Sequence, residues 1–150
     1  MLGAKKRPQG TYDSDLLLKA NYALGAGAGT VFGLDGAGGA AIVVEVGTGT
    51  FKGCCIFDVS AMVTAGNNEE YHLVIQGGDD AAFTNNVPLA TLSLGSLAIT
   101  GLSANDAVGR YKLYFDNERN GTYYPFIRLQ ITTVQAAANA TFSAYVVPIQ

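Results

Sequence analysis

The chain has 150 residues, enough for one domain with a real core, and 49% of them are hydrophobic while only 14% are charged. Its formal net charge is −3, with a net charge of +2 over residues 1–19 and of −5 over residues 20–150. The negative charge of residues 20–150 argues against nucleic-acid binding, because phosphate contacts need clustered Lys and Arg. A single histidine and two adjacent cysteines exclude a multi-histidine metal site and a disulfide framework, and the apolar runs are too short to cross a membrane.

Residues 1–29 are predicted to form an N-terminal arm, followed by a β-sandwich domain over residues 30–150. The arm begins with the polar "MLGAKKRPQG", continues with "SDLLLKANYAL", which has no clean period, and ends in "GAGAG". Such a segment can order on an acidic partner surface, or it can be a solvated tail. The side chains predicted to contact a partner are Lys5, Lys6, Arg7, Tyr12, Leu16, Leu17 and Leu18.

Short segments with alternating apolar residues follow the arm, which is the pattern of half-buried strands. They are "TVF", "AIVVEV", "FKGCCIFDV", "YHLVIQ", "VPLATLSL", "LAIT", "RYKLYFDN", "FIRLQIT" and "TFSAYVV". Pro88 predicts an edge strand or the start of a strand. Tyr145 is predicted to point outward from its strand. The residues predicted to face the core are Ile42, Val44, Val46, Phe51, Cys55, Phe57, Val59, Tyr71, Leu73, Ile75, Tyr111, Leu113, Phe115, Ile127, Leu129, Ile131, Phe142, Ala144 and Val146.

The connecting segments carry turn residues, such as "AGNNEE", "GGDD" and "ERNG". With 19 glycines, 8 tyrosines and 7 phenylalanines, the composition also favours strands separated by turns. About eight antiparallel strands at short, regular intervals predict an all-β fold, a jelly roll or β-sandwich.

The candidates for chemistry are few. His72 with Cys54 or Cys55 is the one conceivable base and nucleophile pair, and "GGDD" at Gly77–Asp80 is a possible calcium loop that lacks the EF-hand spacing. The "GAGAG" run lacks the third glycine of a phosphate-binding loop. We therefore predict a protein that is not an enzyme and that has no catalytic residues, no metal and no cofactor.

The order of these features resembles the small phage capsid cement, or decoration, proteins of the jelly-roll type, typified by the Bordetella phage cement protein. The resemblance rests on "SD" followed by "VFGLDG", then "GGAAIVVEVGTGTF", "LVIQGGDDAAF" and "YYPFIRLQITTVQAAANATFSAYVV", and it loosely covers residues 14–147. The chain departs from the family pattern in its longer basic start and in "ERNGTYY". The resemblance implies a compact sandwich that trimerises on the outer surface of a capsid and bridges neighbouring major capsid subunits.

Low charge and many small and aromatic residues agree with such a surface-binding role. The predicted partners are the major capsid protein and other copies of the chain, with no nucleic acid and no membrane. The predicted location is the outer capsid surface of a virion, after synthesis in the host cytoplasm. A carbohydrate-binding or lectin-like jelly roll is the alternative, in which Tyr114, Tyr123, Tyr124 and Tyr145 would stack on sugars, although the chain has no tryptophan.

Overall fold

The computed structural model describes residues 16–66, 68–96, 106, 108–135 and 138–149. The described residues contain no helix that could span a lipid bilayer. The strands are β1 (Leu17–Ala23), β2 (Gly29–Phe32), β3 (Val44–Glu45), β4 (Lys52–Met62), β5 (Glu70–Gly78), β6 (Asn86–Gly95), β7 (Gly109–Asp116), β8 (Glu118–Arg119), β9 (Thr122–Tyr123), β10 (Phe126–Val134) and β11 (Ala140–Pro148).

The longer strands form two packed antiparallel sheets. One sheet has the order β1-β11-β4-β7, and the other has the order β2-β10-β5-β6, with β3 also paired to β10. The first strand therefore lies beside the last in one sheet, and β2 lies beside the penultimate strand in the other, which is the double-sheet jelly-roll arrangement. The predicted all-β fold is confirmed, and eight of the described strands have four or more residues.

The core lies between the inner faces of the two sheets. Ile127, Leu129 and Ile131 of β10 are 0% exposed, and the ring of Phe142 on β11 lies 6.2 Å from that of Phe57 on β4. Each residue predicted to face the core belongs to this cluster or packs against it. The period-two alternation thus identified the buried face of every long strand from β4 onward, except β6, for which no inward residues were predicted.

The first strand corrects the predicted domain boundary. Residues 17–23 were assigned to the arm, but β1 pairs antiparallel with β11 and is an edge strand of the four-stranded sheet. The Ala20 amide also donates to the Leu34 carbonyl at 2.9 Å, which ties β1 to the segment that follows β2. At Gly33 a Cβ atom would lie 1.9 Å from the Leu18 carbonyl oxygen, so only glycine permits this approach.

Lys19 of β1 is buried, with 0% of its surface exposed. The pairing of β1 with β11 is interrupted on both sides of Lys19, and Nζ donates to the carbonyls of Ala20 at 3.0 Å, Tyr22 at 2.8 Å and Phe142 at 2.7 Å. The ammonium also lies 3.6 Å from the centre of the Tyr22 ring. Burial lowers the pKa of Lys19 to about 7.

Two further predictions concern turns and edges. The predicted turn in "ERNG" is present: Asn120 and Gly121 join β8 to β9, and their φ angles of 53° and 79° are those that a type I′ hairpin turn requires. Pro88 lies in β6, at the edge of its sheet, as predicted. The predicted strand "LAIT", at residues 97–100, lies outside the described residues.

Candidate interaction surface

The outer face of the four-stranded sheet has an apolar centre. Cys54 and Ile56 of β4 and Tyr145 of β11 form a second apolar cluster, separate from the core, and Val147 packs against it. Antiparallel sheets commonly expose a polar outer face to water, so an apolar cluster at this position is a departure from the usual pattern. Tyr145 lies on the outer side of β11, as predicted, but it is only 4% exposed because it packs in this cluster.

Cross-strand pairing extends this cluster in both directions. Tyr145 is the partner of Leu17 on β1, and Cys54 is the partner of Tyr114 on β7. Residues directly opposite each other in an antiparallel pair point to the same side of the sheet. We refer to the set Leu17, Cys54, Ile56, Tyr114, Tyr145 and Val147 as the apolar face.

Tyr114 is the most exposed member of the apolar face, with 64% of its surface accessible. It borders a shallow depression of about 360 Å³, whose lining residues are Lys52, Leu89, Tyr114, Phe115, Asp116 and Ile149. Ile149 is 41% exposed, and its amide donates to the Lys52 carbonyl at 2.9 Å. This end of the sheet therefore offers an aromatic ring and an aliphatic side chain beside one positive and one negative group.

Asn117 directly follows β7 and connects the end of this strand to two other segments. Its side chain is buried, accepts from the Phe51 amide at 2.8 Å and donates to the carbonyls of Gly49 at 2.9 Å and Tyr124 at 3.2 Å. The hairpin that follows is fastened to the other sheet, because Arg119 Nη1 donates to the Pro88 carbonyl. Sequence reasoning placed Asn117 at a strand end and missed its role as a buried connector of three segments.

A second depression of about 390 Å³ lies at the opposite end of the same outer face. The guanidinium of Arg110 spans the carboxylate of Asp58 there, with distances of 2.7 Å from Nε to Oδ1 and 3.1 Å from Nη2 to Oδ2. Burial raises the pKa of the nearby Tyr145 phenol, and the Asp58 carboxylate raises it further. The apolar face is thus bordered by a paired ionic site at one end and by the Tyr114 depression at the other.

The residues predicted to contact a partner differ in where they lie and in how far they are buried. Lys5, Lys6, Arg7 and Tyr12 lie outside the described residues. Leu18 is buried in the core, so its predicted role in filling a partner's groove is wrong. Leu16 is half-buried and packs against the core, whereas Leu17 is half-buried beside Tyr145 on the apolar face.

The tyrosines predicted to stack on sugars differ in exposure. Tyr114 and Tyr123 are exposed, at 64% and 45%. Tyr124 is half-buried and packs over Gly77, since a Cβ atom added to Gly77 would lie 2.8 Å from the Cβ of Tyr124. Tyr145 is buried and has no open ring face to offer, so that part of the prediction is wrong.

The histidine and the cysteines do not form a reactive pair. Cys55 lies in the core and Cys54 in the outer cluster of the four-stranded sheet, whereas His72 lies on the five-stranded sheet, where Nδ1 is 3.0 Å from Ser93 Oγ. Burial raises the pKa of Cys55 well above its usual value, which disfavours the reactive thiolate.

The acidic residues of "GGDD" make bonds within their own loop. Asp79 Oδ2 accepts from Asn85 Nδ2 at 2.8 Å, and Asp80 Oδ1 accepts from the Thr84 amide at 3.0 Å. The bonds from Thr84 lower the pKa of Asp80. Across the described part of the chain, no three potential metal-binding side chains come together.

Comparison with known proteins adds little. No family model and no curated protein matches the chain. Among solved structures, the chain is similar to the CBM22-1–GH10 modules of the N-terminal endo-1,4-β-D-xylanase 10B of Clostridium thermocellum, a structure complexed with xylohexaose. The identity is 13% and the TM-score 0.38, over 90% of this chain and 28% of that chain. A likeness of this extent assigns no function.

Proposed function

We propose that the protein is a structural virion protein, which decorates the outer surface of a phage capsid and stabilises it by bridging neighbouring major capsid subunits. The observation that carries the proposal is the exposed end of the apolar face, where Tyr114 is 64% exposed, because a jelly roll normally keeps the outer side of its sheets polar. The resemblance of the sequence to the capsid cement proteins supplies the identity of the partner. The basic residues Lys5, Lys6 and Arg7 are proposed to reach acidic patches on the capsid.

The contact energy is proposed to centre on Tyr114 and Ile149. Aromatic anchors surrounded by apolar contacts dominate many protein interfaces, and both side chains are exposed beside one depression. The buried connector Asn117 fixes the end of β7, the strand that carries Tyr114, before binding, which reduces the entropy lost on attachment.

The double substitution Tyr114→Ser, Ile149→Ser is expected to weaken attachment to undecorated heads about tenfold or more, the effect of losing a central anchor. Binding is measured by co-sedimentation of purified protein with heads over a concentration series. Val31→Ser is the matched control, because Val31 is 45% exposed on β2 of the other sheet, and it should bind like the wild type. Equal binding by the double variant and the control would contradict the proposal.

Self-association into a homotrimer is a second part of the proposal. A chain with 49% hydrophobic and 14% charged residues leaves much neutral surface for contacts between copies. Multi-angle light scattering on the purified protein is expected to give three times the 15.6 kDa chain mass. A monomer that persists at tens of micromolar would contradict it.

A carbohydrate-binding module is the alternative function. The observation that favours it is Tyr114, whose exposed ring lies beside the polar groups of Lys52 and Asp116, since sugar sites combine an aromatic platform with hydrogen-bonding groups. A glycan array separates the two proposals: binding to a sugar that is lost in Tyr114→Ser, without attachment to heads, would favour the module.

A further inference from the structure

Arg128 occupies an unusual position on the outer face of the five-stranded sheet. Its guanidinium carbon lies 4.0 Å from the centre of the Phe32 ring, on β2, and 4.1 Å from the centre of the Phe83 ring, in the loop between β5 and β6. Two rings thus pack against one cation, which is a favourable arrangement for arginine. Burial lowers the pKa of Arg128, so part of its hydration has already been removed.

A chain of side-chain hydrogen bonds fixes the orientation of this guanidinium. Arg128 Nε donates to Gln76 Oε1 at 2.8 Å, Gln76 Nε2 donates to Asn86 Oδ1 at 3.3 Å, and Asn86 Nδ2 donates to the Phe83 carbonyl at 3.1 Å. Among the described residues, no acceptor is bonded to Nη1 or Nη2 of Arg128 and no carboxylate lies within ion-pair distance. The terminal N–H groups therefore remain available to a ligand.

The conformation of the loop between β5 and β6 places the Phe83 ring against the Arg128 guanidinium. Phe83 has a φ of 55°, a left-handed conformation that bulky residues rarely adopt. The ring lies over Gly78, where a Cβ atom would meet it at 2.7 Å, so any larger residue would displace it. The bonds of Asp79 and Asp80 within the loop hold this conformation.

We propose that Arg128 binds the carboxylate of an acidic side chain supplied by a partner protein. Two rings already pack against the guanidinium, and its N–H donors lie in its plane, so a ligand that bonds to these donors approaches in that plane. A planar pair of N–H donors matches a carboxylate, which can accept two parallel bonds. This surface is on the sheet opposite to the apolar face, so the inference goes beyond the proposed function and does not depend on it.

Local charge favours a carboxylate over a phosphate. Asp79 and Asp80 lie in the loop that carries Phe83, and a doubly charged ligand would be repelled by them more than a singly charged one. Arg128 lines neither of the two depressions described above. A sugar needs a concave site with several polar contacts.

The test is an NMR titration of the full-length protein with the peptide acetyl-Gly-Glu-Gly-amide, with acetyl-Gly-Gln-Gly-amide as its neutral counterpart. The Glu peptide is expected to produce saturable shifts of the Arg128 Nε–H and Gln76 side-chain amide signals, and the Gln peptide is not. In Arg128→Lys, which keeps the charge but lacks the planar fork, binding should weaken about tenfold.

Controls make each result decisive. Lys112→Gln removes one positive charge from the other sheet and should bind the Glu peptide like the wild type. Glucuronate and inorganic phosphate are titrated in parallel and should bind no more tightly than the Glu peptide. Tighter glucuronate binding would make the ligand an acidic sugar, tighter phosphate binding would make it a phosphate, and absence of saturable shifts would leave Arg128 a structural residue; each would overturn the proposal.

Discussion

Deletion of residues 1–23 is expected to unfold the protein at 25 °C, because it removes β1 from the four-stranded sheet. Leu18 is 0% exposed, and loss of a buried leucine side chain alone costs about 2–5 kcal/mol. The deletion also removes the backbone bonds to β11 and the contact of Lys19 with the Phe142 carbonyl. The combined loss is comparable with the whole stability of an ordinary domain, about 5–15 kcal/mol. Circular dichroism should show no cooperative melting transition.

Deletion of residues 1–12 is the matched control, since it leaves β1 intact and should preserve the melting temperature. Two point variants compare the contribution to stability of the core-facing side of β1 with that of its outer side. Leu18→Ala should lower the melting temperature clearly, and Leu17→Ala, a half-buried residue on the apolar face, should lower it much less. A protein that lacks residues 1–23 and still melts like the wild type would show that β1 is dispensable.

The strands were predictable from sequence where a single period governs a whole segment. In β10, Ile127, Leu129 and Ile131 alternate with polar residues, and the structure buries all three. β1 was missed because its pairing with β11 shifts register twice within seven residues and because a lysine occupies a buried position. A bulge interrupts the apolar and polar alternation by which a strand is recognised in sequence. A lysine is read as an exposed residue, although here its ammonium bonds to backbone carbonyls inside the fold.

The candidate surfaces were less predictable than the fold. Alternation placed Tyr145 and Cys54 on the outer side of their strands, but it could not show that Tyr145, Ile56 and Cys54 would bury one another across two strands. The Arg128 site depends on residues from three separate segments, namely Phe32, Gln76 and Phe83. Such a site arises from strand register and loop conformation together, and the period-two alternation of each strand does not show which residues of different segments will meet.

The free energy of unfolding is expected to rise by about 2–3 kcal/mol when the pH is raised from 7.5 to 9.5, because of Lys19. Its pKa is about 7 in the folded protein, and an unfolded lysine titrates near 10.4. Between these values the unfolded chain binds a proton that the folded chain has released, so stability increases with pH, by at most about 1.4 kcal/mol per unit. Below pH 7 both states are protonated and this contribution is constant.

Urea denaturation at a series of pH values measures this dependence, and Lys19→Met should abolish it while retaining a side chain of similar length. The matched control is Lys112→Met, an exposed lysine on β7, which should keep the slope of the wild type. The window ends at pH 9.5 because burial raises the pKa of Tyr22 and Tyr71, whose ionisation at higher pH would destabilise the folded state. A wild-type stability that is flat over this window would mean that Lys19 keeps its proton inside the fold, held by the three carbonyls and the Tyr22 ring.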